Sequence, residues 1–288
     1  MMDGNMKARK HTRSKINIRL IILEVFVIIL GLVFIYPVFL MVINSFKPFR
    51  EVVIDVIALP SKLEFANYTY VIDKINVLNL IKNNVIITAT GLFGIILFSS
   101  MTAYIISRRS TKITHLCYMI CIIPMLVPFQ TIMITLLKVA KNLNLSDSLL
   151  GLGVQYWGFG IPMAVFIYSG FIRTIPREID ESAMIDGAST LRTFFQIIFP
   201  LLKTVTSTIV VLDVMWIWND FLLPLLMVNS SVDTKTLTLA AYSFVGQYNT
   251  QWQYAMTAMV LTVTPSILFF IVMQKNIVKG IVAGAVKG

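Results

Sequence analysis

Residues 175–200 read Ile-Pro-Arg-Glu-Ile-Asp-Glu-Ser-Ala-Met-Ile-Asp-Gly-Ala-Ser-Thr-Leu-Arg-Thr-Phe-Phe-Gln-Ile-Ile-Phe-Pro, a polar island between two long apolar runs. Pro176 suits the first position of a helix, where a missing N–H is not needed. Glu178, Asp180 and Glu181 follow in the first turns, where the helix dipole favours negative charge. Glycine accepts the left-handed conformation that closes a helix, so Asp186-Gly187 marks the stop. Ser189 can cap a second helix, expected to run to about Phe199 before Pro200. The stretch therefore reads as a short helix–turn–helix, its first helix about 10 residues or roughly 15 Å long. It can serve as an amphipathic loop resting on lipid head groups, or as a knob docking into a soluble partner.

The flanking sequence decides the environment. The chain has 288 residues, 57% hydrophobic and 13% charged, with mean hydropathy +0.81. Soluble chains carry about 25% charged residues; half that charge cannot cover a soluble domain of this size, and disorder is excluded as well. Six apolar runs are long enough to cross a bilayer, which takes about 20 residues each. They lie near Leu20–Ile43, Val85–Ile106, Leu116–Leu137, Leu149–Ile172, Thr204–Val228 and Tyr254–Met273. The fold class is an all-α integral membrane protein. Pro124 and Pro128 are expected to interrupt or simply kink the third span, and Gly158, Gly160 and Pro162 the fourth. Irregular backbone in a membrane is tolerated where a cavity or neighbours satisfy it.

Of 24 basic residues, 16 fall in the amino-terminal tail, the second and fourth connections and the carboxyl tail, which leaves 8 for the other side. Positive-inside reasoning places both termini and residues 173–203 in the cytoplasm. The basic surplus thereby finds a membrane-edge explanation, and nucleic acid is not an expected partner. The chain divides into a basic tail (1–19), a first span with a long external loop (20–80), a core of five spans (81–274) and a carboxyl tail (275–288).

Glu181-Ser182-Ala183, then Asp186-Gly187-Ala188 and a hydrophobic stretch ending at Pro200, resembles the Glu-Ala-Ala loop of binding-protein-dependent ABC importer permeases. Ser182 replaces the first alanine of the pattern. Tyr36-Pro37, Asn44-Ser45-Phe46-Lys47-Pro48, Asn67-Tyr68, Asn83-Asn84, Ala103-Tyr104, Ser107-Arg108 and Trp218-Asn219-Asp220-Phe221-Leu222 occur in the order of that family. The terminal Gly280–Gly288 resembles the tail of its carbohydrate-uptake members. Together these look like the second, six-span permease of a carbohydrate importer of the maltose-transporter type.

The resemblance implies a type I ABC importer permease fold in a bacterial cell membrane. It implies a second permease as heterodimer partner, two ATPase subunits and an extracytoplasmic sugar-binding protein, with lipid around the spans. It also assigns ATPase coupling to Glu181, Ser182, Ala183, Asp186, Gly187, Ala188 and Pro200. The residues agree in one respect: no Gly-x-x-x-x-Gly-Lys-Ser/Thr phosphate loop is present, so ATP and Mg are expected on the partner and no cofactor on this chain. The expectation is a transport subunit rather than an enzyme, since no Ser/His/Asp grouping, His-Glu-x-x-His motif or paired acids in one span occurs.

Asp213 is the acid placed well inside a span, and an intramembrane acid defaults to a functional hypothesis. It is either a translocation-pathway residue or the partner of a Ser, Thr or Asn on a neighbouring span. Trp218, Asn219 and Asp220 lie toward the outer end of the same run and are candidates for sugar contact, although Trp is also an ordinary interfacial anchor. Cys117 and Cys121 read as packing residues, and His11 and His115 as solvated basic sites. A permease for another solute is an alternative. An ion-driven carrier would show more intramembrane charge and inverted repeats.

Overall fold

The computed structural model describes residues 18–246 and 250–285, with side chains described through residue 274. Lys7, Arg9, Lys10, Arg13 and Lys15 of the basic tail, and the side chains of the carboxyl tail, lie outside these described residues. Among them, four helices are each long and apolar enough to span a membrane: Ile18–Ser45, Val77–Arg108, Leu149–Ile172 and Trp252–Gln274. Two sharply bent pairs, Lys112–Leu126 with Phe129–Asn142 and Thr190–Leu201 with Lys203–Asn219, bring the number to six when each pair is one span.

The first span packs against the last helix but buries little of itself. Its buried residues are confined to Ile43, Asn44 and Ser45 at its carboxyl-terminal end, so most of its apolar surface is left for lipid or another subunit. That end is tied down by the segment that follows it. The Asn67 amide donates to the carbonyls of Ser45 and Lys47, both at 2.9 Å. Lys47 is buried and donates to the Asp55 carbonyl at 2.8 Å, and Ser45 Oγ lies 2.7 Å from the Tyr68 hydroxyl. The stretch expected as one long loop thus contains helices Phe49–Ile54 and Ala66–Ile75. The second span begins at Val77, a turn or two before the expected Val85.

The second and fourth spans pack along their lengths and form the centre of the bundle. Glycine makes that approach possible. A Cβ built on Gly94 would sit 2.0 Å from the Trp157 ring, and one on Gly153 would sit 2.5 Å from Thr90. Small residues at such crossings let backbones close in, since lipid offers no hydrophobic drive for helix association. Trp157 donates its indole N–H to the Thr90 carbonyl at 2.9 Å across the same contact.

Three expectations about helix breaks meet the structure differently. The third span breaks at its prolines, as expected: a 3-10 turn at Ile123–Leu126 leads into a 106° bend before Phe129. The fourth span does not break, because Leu149–Ile172 is one helix through Gly158, Gly160 and Pro162. A single proline frees one carbonyl and kinks rather than ends a helix held on both sides. The fifth span was expected to be continuous over Thr204–Val228, but its helix ends at Asn219 and resumes at Leu222. Asp220 is extended there (φ −67°, ψ 140°). Its carboxylate accepts the Leu222 N–H at 3.1 Å and the Tyr156 hydroxyl at 2.8 Å, and its carbonyl accepts the Thr238 hydroxyl at 2.9 Å. A short polar side chain that satisfies local backbone groups competes with the helix ladder.

Candidate coupling loop and translocation cavity

After the fourth span, the chain turns at Thr174–Pro176 and forms a helix at Glu178–Ile185. Pro176 lies just ahead of it rather than inside it, so the helix has 8 residues, not about 10. Gly187 has φ +78°. The Ala188 N–H donates to the Ala183 carbonyl at 2.9 Å and the Gly187 N–H to the Met184 carbonyl at 3.0 Å, the paired bonds of a left-handed helix stop. Ser189 then accepts the Arg192 N–H at 3.4 Å and caps the next helix. That helix was expected to end before Pro200 and instead runs to Leu201. A π turn at Phe194–Ile198 precedes it, closed by the Phe199 N–H on the Phe194 carbonyl. The widened turn carries the chain past a residue with no N–H to give.

The loop shows two different faces. Inward, Asp180 (6% exposed) and Ala183 (3%) are both buried. The Asp180 carboxylate accepts the Tyr104 hydroxyl at 2.6 Å and pairs with the Arg108 guanidinium at 2.9 Å. Arg108 also donates to the Ile175 carbonyl at 3.0 Å. Outward, Glu181, Ser182, Asp186 and Gly187 are exposed, and so are Met184 (54%) and Ile185 (86%) at the tip. The coupling candidates Glu181, Ser182, Asp186 and Gly187 are thus presented together, while Ala183 packs inward and Pro200 lies on the following helix. Asp180 was not among the expected site residues. Its signal in the sequence was an acid one turn into this helix and an arginine closing the second span.

The pathway candidates separate. Asp213 is buried, and its Oδ2 has no hydrogen-bond partner among the described residues; the interhelical bond expected as the alternative is not made by that oxygen. Trp218 is buried, with its indole N–H on the Thr262 carbonyl at 3.3 Å, and it receives the Asn84 amide on its own carbonyl at 3.3 Å. It holds the second, fifth and last spans together. Asn219 faces a cavity of about 340 Å³ that also takes in Phe221, Thr238 and Tyr242. The Phe221 and Tyr242 rings lie 5.0 Å apart at its wall. Asp220 serves the helix break. Cys117 is on an exposed face, so it does not pack within this chain, and Cys121 is half-buried beside it. No cluster of metal-ligating side chains occurs among the described residues.

With this geometry in hand, the comparisons with known proteins are specific. A family profile described as "Binding-protein-dependent transport system inner membrane component" matches residues 95–282. The chain is 39% identical over 274 residues to the "Probable starch degradation products transport system permease protein AmyC" of Thermoanaerobacterium thermosulfurigenes, covering 95% of this chain and 99% of that one. It is 32% identical to the "Multiple sugar-binding transport system permease protein MsmG" of Streptococcus mutans, covering 89% and 93%. It is also 32% identical to the "Melibiose/raffinose/stachyose import permease protein MelC" of Bacillus subtilis, covering 80% and 83%. In fold it superposes, with TM-score 0.74 and 20% identity over 90% of this chain and 96% of the other, on a chain from the structure of a bacterial ABC transporter involved in the import of alginate.

Proposed function

The chain belongs to the family of binding-protein-dependent transport system inner membrane components, and from that premise we propose that it forms half of the pathway of an ATP-driven sugar or oligosaccharide importer. It is a multi-pass membrane transport permease, not an enzyme, and such permeases work with a partner ATPase and a substrate-binding protein. The finer reading is a heterodimer with a second permease, two ATPase subunits that hold ATP and Mg, and an external sugar-binding protein. Both termini and residues 176–200 face the cytoplasm. The sugar assignment draws on the relatives' names, all three of which are saccharide transport proteins.

One observation carries the coupling reading: Met184 and Ile185 point outward at the tip of a helix whose other face is pinned to the bundle through Asp180. Exposed apolar side chains on a rigid polar-flanked knob suit a cleft in a soluble partner. Nucleotide-driven closure of that partner would move the knob as a body, and packed interfaces shift between discrete arrangements, which reorients the spans. The Asn219–Tyr242 cavity supplies aromatic and amide surface of the kind that binds sugar.

The test is association. Co-expressed with its ATPase, the wild-type chain retains it through purification, and Ile185→Glu loses it. Retention by the Glu variant, or labelling of residue 185 from the outer face only, defeats the coupling assignment.

A further inference from the structure

A second feature lies at the same end of the bundle and takes no part in coupling as described. A cavity of about 260 Å³ opens between the ends of the second and fourth spans and the start of helix Lys112–Ile122. Arg109, Arg173 and Arg177 line it, from three separate elements, together with Ser110, Thr111 and His115. Among the described residues the ion pair within 4.0 Å is Arg108–Asp180, so none of these three guanidinium groups is ion-paired with a carboxylate. Asp180 and Glu181 line a neighbouring cavity with Arg109 and Arg177 but form no ion pair with them. Arg173 sits over the Tyr118 ring, 5.8 Å from its centroid. The positive end of helix Lys112–Ile122 adds to the field.

Like charges gathered at one concave spot repel unless an anion joins them. Arginine forks match phosphate oxygens in pairs, and the hydroxyls of Ser110 and Thr111 are further donors. The volume corresponds to some eight or nine waters at about 30 Å³ each, room for a phosphate group with part of its substituent. Arg109 and Arg173 directly follow membrane-spanning helices, which puts the cavity at head-group depth, where basic pockets between spans recognise acidic lipids.

We propose that this cavity binds a phosphate group, supplied by the head group of an acidic phospholipid of the inner leaflet. Arg177 immediately precedes the coupling helix, so the bound phosphate joins that helix's entry to the ends of two spans. An occupied site holds the coupling loop in one position relative to the bundle and makes transport depend on acidic lipid. The inference rests on the importer reading and on the cytoplasmic placement given with it.

The assembled importer, with its ATPase, is reconstituted in nanodiscs of phosphatidylcholine with or without phosphatidylglycerol, and retained lipid is measured by native mass spectrometry. Wild type retains phosphatidylglycerol at least roughly tenfold more than the triple variant R109Q/R173Q/R177Q, and the Lys versions of the same positions restore part of it. Equal retention by wild type and the Gln variant, with the ATPase bound in both, overturns the site. Binding of inorganic phosphate by wild type and not by the Gln variant, with no retention of phosphatidylglycerol by either, keeps the phosphate site and overturns the lipid source. Failure of the wild-type complex to hold any ATPase counts against the importer reading and not against the site, which the same lipid measurement on the permease alone then decides.

Discussion

Arg108 and Asp180 meet at 2.9 Å across the junction between the second span and the helix of the coupling loop, with both side chains largely shielded from water. Tyr104, one turn before Arg108, donates to the other carboxylate oxygen. This makes Asp180 the point at which the loop is fixed to the membrane bundle. Removing one partner of a shielded pair leaves the other uncompensated, at about 3–5 kcal/mol. Asp180→Asn is therefore expected to keep the chain in the membrane but cut sugar uptake about tenfold or more while ATP hydrolysis continues. The swapped pair R108D/D180R restores part of the uptake. Uptake by Asp180→Asn equal to wild type would show that the knob needs no such anchor.

Gly187 gives a second, independent handle on coupling. An added Cβ would meet nothing within 4 Å, so space does not require glycine; the φ of +78° does. Left-handed backbone costs an L-residue roughly 1–2 kcal/mol, and a β-branched side chain more. Gly187→Val should uncouple hydrolysis from uptake, whereas Gly187→Asn, which tolerates this conformation, retains most transport. Equal transport by the Val and Asn variants removes the conformational argument.

Much of this loop was legible in the sequence, because its signals are local: a glycine where a helix must stop, a serine where one must start, acids in the first turn. The apolar runs were legible for the same reason. What escaped were effects that depend on distant residues. At the break in the fifth span, Asp220 bonds not only the local Leu222 N–H but also Tyr156 and Thr238, which reach it from elsewhere. Pro200 fails to end its helix because a π turn absorbs it. Asp180 and Arg108 are 72 positions apart in a chain read along one dimension, and Trp218, read as a sugar contact or an interfacial anchor, is instead bonded to Asn84 and Thr262 inside the bundle.

The central packing makes a stability prediction. A methyl group on Gly94 would overlap the Trp157 ring, and overpacking costs about 1–3 kcal/mol. Gly94→Ala should lower the thermal midpoint of the detergent-purified chain, and the pair G94A/W157F should recover part of the loss. At Gly158, inside a helix where an added Cβ meets nothing, alanine should not lower the midpoint and should raise it slightly, since mid-helix alanine is favoured over glycine by about 0.5–1 kcal/mol.

In the segment between the first and second spans, the Ser61 hydroxyl and N–H on Glu51 hold its carboxyl below the ordinary value of 4.5. The N–H groups of Ala58 and Ile57 do the same for Asp55, whose ordinary value is 3.8. Groups lowered on folding lend stability that is complete above their unfolded values and lost as pH falls through the lowered ones. Cleavage by an acid-tolerant protease in residues 49–63 should therefore rise as pH drops below about 4.5. Ser61→Ala should show raised cleavage already at neutral pH and a weaker dependence on acid. A pH response identical in Ser61→Ala and wild type would assign the acid opening to other groups.

Tyr242 and Trp218 separate sugar contact from scaffolding. Tyr242 is exposed, borders the cavity with Asn219 and lies tilted against Phe221, whereas Trp218 is buried and bonded to Thr262. If an aromatic ring against the C–H face of a sugar contributes as an aromatic pair does, about 0.5–1.5 kcal/mol, its loss costs roughly two- to twelvefold in affinity. Tyr242→Ala and Asn219→Ala should raise the sugar concentration for half-maximal uptake by that factor with complex yield unchanged. Trp218→Phe should instead lower thermal stability through the lost bond and leave the half-maximal concentration alone. The opposite pattern, with Trp218→Phe shifting the concentration and Tyr242→Ala only the stability, would place the route for sugar on the other side of the fifth span.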